Sequence, residues 1–297
     1  TLTPGRYLID QFTPEYSRDG EPMKIRDGVG FGDNYYYQMV RYIRLFKGMD
    51  AVPVADGGGA EISMRDAEAD AAEWERVSPA YTDTIGDTAF RNQISFQSEY
   101  RYQNSSGRND LDTAKVTQDS EFLYFHITTV NEIVAEDDEA WMNLYLDIDN
   151  DSSTGWEGFD LTLNRSRDGT SVSVEKFVDN SWNFETVGSA EYLLGTNSLT
   201  IKVAKDVIRK AAPEADFKLF AYKWADASVS DGDVMRFMDL GDTAPNDRFK
   251  FLYTTEKLPE AKTGGRLSWI TVLCICIAAA ALLACGGAYF FVRRRKK

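Results

Sequence analysis

Between residues 110 and 255 the chain repeats one pattern, short runs of alternating apolar and polar positions, each ended by Asn, Asp, Gly or Ser. Alternation with period two places every second side chain on one face, so such runs read as strands with one face toward a core. The candidates are "TAKVTQ", "EFLYFHITTV", "WMNLYLDID", "FDLTLNRS", "SVSVEKFV", "NFETV", "SLTIKVAK", "FKLFAYKWA", "VMRFMDL" and "FKFLYTT". Short strands separated by turn-forming residues predict a mainly β domain, a sandwich or barrel, over residues 60–255. "DVIRKAAPEA" is the one helical turn expected inside it.

Both ends break the pattern. In residues 1–50, "RYLIDQF" reads as a strand, a polar glycine-rich loop follows, and "DNYYYQMVRYIRLFKG" reads as a helix with Asp33 as N-cap. Tyr36, Met39, Val40, Ile43 and Phe46 recur at helical spacing, and Gly48 is the expected stop. One strand and one helix cannot bury that stripe, so the segment predicts a partial α/β remnant, the last βα unit of a domain such as a (β/α)₈ barrel. In that setting the loop after the strand carries candidate catalytic carboxylates, Glu15 and Asp19, suited to acid–base work on glycosides. A solvated acidic loop is the alternative. "PEYSRDGEPM" resembles segments of large bacterial surface proteins with glycosidase-like barrels. Residues 51–59, ending in Gly57 to Gly59, read as a linker.

At the other end, residues 256–266 form a second linker, and Leu267 to Val292 carry no charged residue before the tail "RRRKK" at 293–297. A run of about 20 apolar residues spans a bilayer as one helix, and clustered cations mark its cytoplasmic side. Trp269 and Tyr289 stand where interfacial aromatics belong. The expectation is a single-pass cell-membrane protein with its N-terminal part extracellular. "LPEAKTGG" resembles the wall-sorting signal of Gram-positive surface proteins, but Leu258-Pro259 and Thr263-Gly264 stand two residues further apart than that pentapeptide allows. A retained anchor is therefore expected, with sortase processing and cell-wall attachment as the alternative. All three cysteines, Cys274, Cys276 and Cys285, fall in the apolar run, so the extracellular part has none to form a disulfide.

Charge narrows the partners. The chain holds 33 Lys and Arg against 47 Asp and Glu, and with the five tail cations set aside the balance is −19. Nucleic acid, a polyanion that needs a basic patch, is excluded on this ground. Clustered carboxylates suit hard cations instead. In "LYLDIDNDSSTGWEGFD", Met142, Leu144, Leu146 and Ile148 alternate onto a core face, while Trp141, Asn143, Tyr145, Asp147 and Asp149 take the other. Asp147, Asp149, Asp151 and Asp160 are the candidate calcium ligands of the loop that follows, and a solvated Asx turn is the alternative. The loop is no EF-hand, because its flanks are strands and its glycine and glutamate are misplaced.

Flat aromatic rings stack on the apolar faces of sugars. In "FKLFAYKWA" Phe220, Tyr222 and Trp224 share one face and Phe217, Leu219 and Ala221 the other, so the strand is either wholly buried or offers one face to a ligand. Tyr222 and Trp224, with Trp156 and Trp182 in polar surroundings, are the candidate ligand-binding residues; packing in the interior is the alternative for each.

The ordered set "GRNDLDTAKVTQDSEFLYFHITT", "MNLYLDIDNDSSTGWEGFDLTLNR", "LFAYKWAD" and "DLGDTAPNDRFKF" resembles the family 9 carbohydrate-binding modules and their DOMON-like relatives. The resemblance spans nearly all of residues 60–255 and implies a β-sandwich, structural calcium, and polysaccharide or oligosaccharide held between aromatic side chains. It places Trp156 and Trp224 in its best-matching segments. Some DOMON-like relatives bind haem, which needs an axial His or Met; the one histidine, His126, lies mid-strand, and Met142, Met235 and Met238 read equally as core. There is no serine-centred elbow and no glycine-rich phosphate loop for a nucleotide.

Overall fold

The computed structural model describes residues 43, 44, 46–48, 54, 55, 59–94, 101–151 and 153–256. Glu15 and Asp19, most of the segment read as an α/β remnant, "LPEAKTGG", the candidate span at 267–292 and the basic tail lie outside these residues. Ile43, Arg44 and Phe46 are helical, and Gly48 follows with φ +71°, the left-handed stop that glycine permits. No helix among the described residues is long and apolar enough to cross a membrane.

The domain is mainly β. Its strands, in chain order, are β1 (Tyr81–Thr82), β2 (Arg91–Ile94), β3 (Arg101–Asn104), β4 (Leu111–Gln118), β5 (Phe122–Thr129), β6 (Asn143–Asp147), β7 (Leu161–Asp168), β8 (Ser171–Val178), β9 (Asn183–Leu194), β10 (Ser198–Ala204), β11 (Leu219–Asp226), β12 (Asp242–Ala244) and β13 (Phe251–Thr254). Eleven form one sheet in the order β1-β4-β5-β10-β9-β8-β7-β6-β11-β12, every pair antiparallel. β13 joins β11 along the edge that β12 also uses, taking Leu219 to Tyr222 while β12 takes Trp224 to Asp226. The remaining pair, β2 and β3, is a separate hairpin. It is held by Arg91 Nη2 donating to Met238 O at 2.9 Å and Asn104 Nδ2 donating to Gly241 O at 2.6 Å.

The sheet curls until its ends meet. Phe125 on β5 packs 6.0 Å from Phe220 and 5.8 Å from Tyr222 on β11, ring centre to ring centre. Leu111 N at the start of β4 donates to Asp242 Oδ2 on β12 at 2.6 Å. The enclosed core takes Met142, Leu144, Leu146 and Ile148, as their alternation predicts. Trp141 joins them against that prediction, because Met142 has φ +45° and the alternation breaks there. A second apolar cluster forms on the opposite face of the sheet around Tyr145, Trp156, Phe159, Phe177 and Phe237.

Several elements differ from the sequence reading: the short strands β1, β2, β3 and β12 were not among the candidates, and two helices stand out. "VMRFMDL" is a short helix, Arg236–Asp239, in place of a strand; Asp233 Oδ1 accepts Met235 N at 3.0 Å, and Val234, Met235, Phe237 and Met238 are all buried, a run without alternation. A helix at Ala67–Glu75 (α1) was not expected. Asp66 caps it by accepting Ala69 N at 2.8 Å, but "AEADAAEWE" carries one large apolar residue and so no helical stripe. The helical turn read in "DVIRKAAPEA" is present at Lys205–Ile208.

Candidate functional site

The turn from β6 to β7 is built by its own side chains. Trp156 and Phe159 exchange both backbone hydrogen bonds at 2.9 Å, closing a two-residue loop in which Glu157 and Gly158 have φ +52° and +80°. Gly155, at φ +59°, is needed because a Cβ there would sit 1.8 Å from Phe159 O. Asp149 Oδ1 accepts Asp151 N at 2.9 Å, and its carboxylate also takes Thr154 Oγ1 at 3.1 Å. Asp151 Oδ1 accepts Ser153 N and Oγ at 2.9 and 2.6 Å, which holds its carboxyl below the usual range. Asp160 Oδ2 accepts Ile148 N at 2.7 Å; burial nevertheless raises its pKa.

Of the four residues expected to bind a cation, Asp147, Asp149 and Asp160 bring carboxylate oxygens within 4.8 Å of one another, and Asp151 stays apart, capping its own turn. Three oxygen donors so close fit a hard cation. One positive charge is already built in. Lys250, from the segment before β13, places Nζ 2.8 Å from Asp147 Oδ2 and 3.1 Å from Gly158 O, over the Phe159 ring at 4.4 Å. Both side chains are buried, so the pair is shielded from screening.

A second acidic group, unseen in the sequence, forms where β1 and β12 approach. Asp83, Asp87 and Asp242 bring carboxylate oxygens within 4.8 Å. Burial, and after it the neighbouring Asp87 charge, pushes Asp83 up to about 7 and Asp242 up to about 8. Asp242 accepts Leu111 N and Thr243 N, and Asn246 Nδ2 donates to Asp87 Oδ2. Asp83 and Asp87 are four residues apart, but Asp242 reaches them only because the sheet curls.

The aromatic candidates separate sharply. Tyr222 and Trp224 are 0% exposed and lie in the main core, which corrects their assignment as ligand-binding residues. Alternation identifies the shared face but not which side is wet. β11 is paired along both edges, and its Phe220–Tyr222–Trp224 face meets β5. Trp156, 5% exposed, is likewise enclosed in the second cluster, its Nε1 donating to Gly232 O at 3.3 Å, so it too is no platform. Trp182 alone of the four is part-exposed. It sits in the turn between β8 and β9, edge to face on Trp156 with ring centres 4.5 Å apart and 4.9 Å from Phe184. Gly232, at φ +80°, seats beneath it, where a Cβ would fall 2.6 Å from Trp182 Cβ. Neighbours of Trp182 in the chain are Asn180, which donates to Ser153 O, and Asn183, which donates to Ser181 Oγ; Arg165, paired with Glu139 and Glu175, places its guanidinium 3.8 Å over Phe184 and 5.9 Å from Trp182.

His126 stacks on Trp74 with ring centres 4.4 Å apart, and Nδ1 shares a hydrogen bond with Thr200 Oγ1 at 2.9 Å. Burial, and after it the Lys115 charge, pushes its pKa down to about 3. Met142 belongs to the main core and Met235 and Met238 to the second cluster, each away from His126. The sequence reading also missed Asp226, which is fully buried and binds Arg108 through Nε and Nη2 at 2.9 and 3.1 Å, Asn109 Nδ2 at 2.9 Å and Met142 N at 3.0 Å. Those partners join three segments distant in the chain, so this network ties the fold together. No protein-family model and no curated protein matches the chain.

Proposed function

We propose that residues 60–255 are a saccharide-binding β domain of the kind found in family 9 carbohydrate-binding modules, held outside a membrane by residues 267–292. The observation that carries this reading is Trp182. It is a part-exposed indole fixed from below by Trp156 and Gly232, and flanked by Asn180, Asn183 and Arg165. A rigid ring beside amide and guanidinium donors can stack on a sugar face while its hydroxyls are hydrogen-bonded. The neighbouring β6–β7 turn supplies the calcium ligands, with Asp149 and Asp160 binding beside the Asp147–Lys250 pair and ordering the loop that Asn180 touches. The anchor rests on the uncharged run and the basic tail. Bound glycan would be concentrated near any catalytic domain on the same chain.

The test is a glycan array read with the full chain, with and without EDTA. Retention on a polysaccharide is expected, weakened about ten-fold or more by Trp182→Ala and weakened by chelation. Retention on no glycan, or retention untouched by Trp182→Ala, overturns the assignment. The second reading, a surface spacer, is favoured by the enclosure of Trp156, Tyr222 and Trp224, and it expects no retention at all.

A further inference from the structure

Helix α1 covers the sheet incompletely. Asp70 and Trp74 are its two buried residues, with Trp74 packing down onto His126. Ala67 and Ala71, one turn apart, present only methyl groups beside them. The result is a half-open cleft of about 380 Å³ between α1 and strands β4, β5 and β10, with Thr113, His126, Thr128 and Ser198 among its lining. That volume lies at the small end of ligand pockets, about 300–1,000 Å³.

The polar groups here fall into two sets. Two of the charged groups are already hydrogen-bonded. Lys115 Nζ donates to Trp74 O at 2.7 Å, and Glu68 Oε1 accepts Thr196 Oγ1 at 3.1 Å. His126 is different. It is 8% exposed, its Nδ1 is bonded to Thr200, and among the described residues Nε2 has no hydrogen-bond partner although the ring lines the cleft. Nε2 can therefore meet a polar group of a ligand that enters the cleft. Burial keeps the imidazole neutral, so Nε2 either donates or accepts according to the tautomer that Thr200 selects. A hydroxyl group satisfies both cases, because it donates and accepts.

We propose that this cleft is a binding site for a compact uncharged polyol, a cyclic polyol or single sugar ring, with a hydroxyl on His126 Nε2 and a C–H face against Ala67, Ala71 and Trp74. The charged residues of the lining, Glu68, Glu75 and Lys115, sum to −1, which disfavours an anionic ligand. The site shares no residue with the Trp182 surface and does not depend on it.

The chain's single histidine gives the readout. In the full chain, the ring ¹H–¹⁵N signals of His126 are followed while myo-inositol or methyl glucoside is added, two sources of ring hydroxyls that the separate titrations tell apart. A saturable shift with at least one is expected. Ala71→Trp, which fills the cleft from an exposed position, raises the half-saturating concentration about ten-fold, a loss of about 1.4 kcal/mol; the smaller Ala71→Leu raises it less and guards against misfolding. Trp182→Ala leaves the shift intact, so failure of the saccharide surface and failure of this site are distinguishable. A signal indifferent to both polyols, one that moves with inorganic phosphate alone, or a shift unaltered in both Ala71 variants overturns the proposal.

Discussion

The two acidic groups of this domain, one in the β6–β7 turn and one between β1 and β12, use the same residue type and hide its charge differently. Asp147 is matched by an ammonium, Lys250, brought from 103 residues away. Among the described residues Asp83 and Asp242 form no ion pair, and burial outweighs the Lys223 charge that acts on Asp83, so they retain protons near neutral pH, at about 7 and 8. Burial penalises a carboxylate in both places; what differs is whether the fold delivers a cation or leaves the proton to do the neutralising. Protons make the second group responsive to pH.

Removing the lysine should break that contrast most. Lys250→Met leaves Asp147 buried beside Asp149 and Asp160 without its counter-charge, a change that costs about 3–5 kcal/mol in comparable buried pairs. Urea denaturation is expected to show a loss of this size, and adding Asp147→Leu to the variant is expected to recover most of it. A loss under about 1 kcal/mol in the single variant would mean the pair is solvated like a surface bridge.

The proton-dependent group gives an effect of intermediate size. Asp83 and Asp242 have folded-state pKa values raised above the ordinary 3.8, so the folded protein binds protons that the unfolded chain releases. Their contribution to stability therefore falls as pH rises from about 4 and levels off above about 8. Melting temperature measured across that range should decline less steeply in Asp83→Asn than in the parent. Equal slopes would show that the group does not carry the dependence.

The smallest change sharpens the local half of the comparison. Asp151→Ala removes a turn cap that bonds Ser153 N and Oγ, and should cost about 0.5–1 kcal/mol while leaving the calcium affinity proposed for this turn, read by isothermal titration, unchanged. Affinity lost together with Asp151 would return it to the ligand set.

The same contrast explains what could be read in advance. The β6–β7 turn was legible because its acids are neighbours in the chain, and "SVSVEKFV" was legible because alternation is local; β8 spans those eight residues, Ser171–Val178. What failed was the judgement of what the aromatic faces meet. Tyr222 and Trp224 share a face as expected, but only the path of the sheet shows that β5 lies across from it. Helix α1 escaped notice because its burial depends on Trp74 alone, and the segment 234–240 because a run of buried residues fits strand and helix equally. Asp83, Asp87 and Asp242, like Asp226 with Arg108, are products of closure and have no signature in any short window.

The ends of the long sheet are its briefest members, two residues in β1 and three in β12. A neighbouring polypeptide seeking a row of open amides and carbonyls would find a template too short to extend. Copies crowded side by side are thereby kept from zipping together through their backbones, and what one molecule grips is left to its side chains.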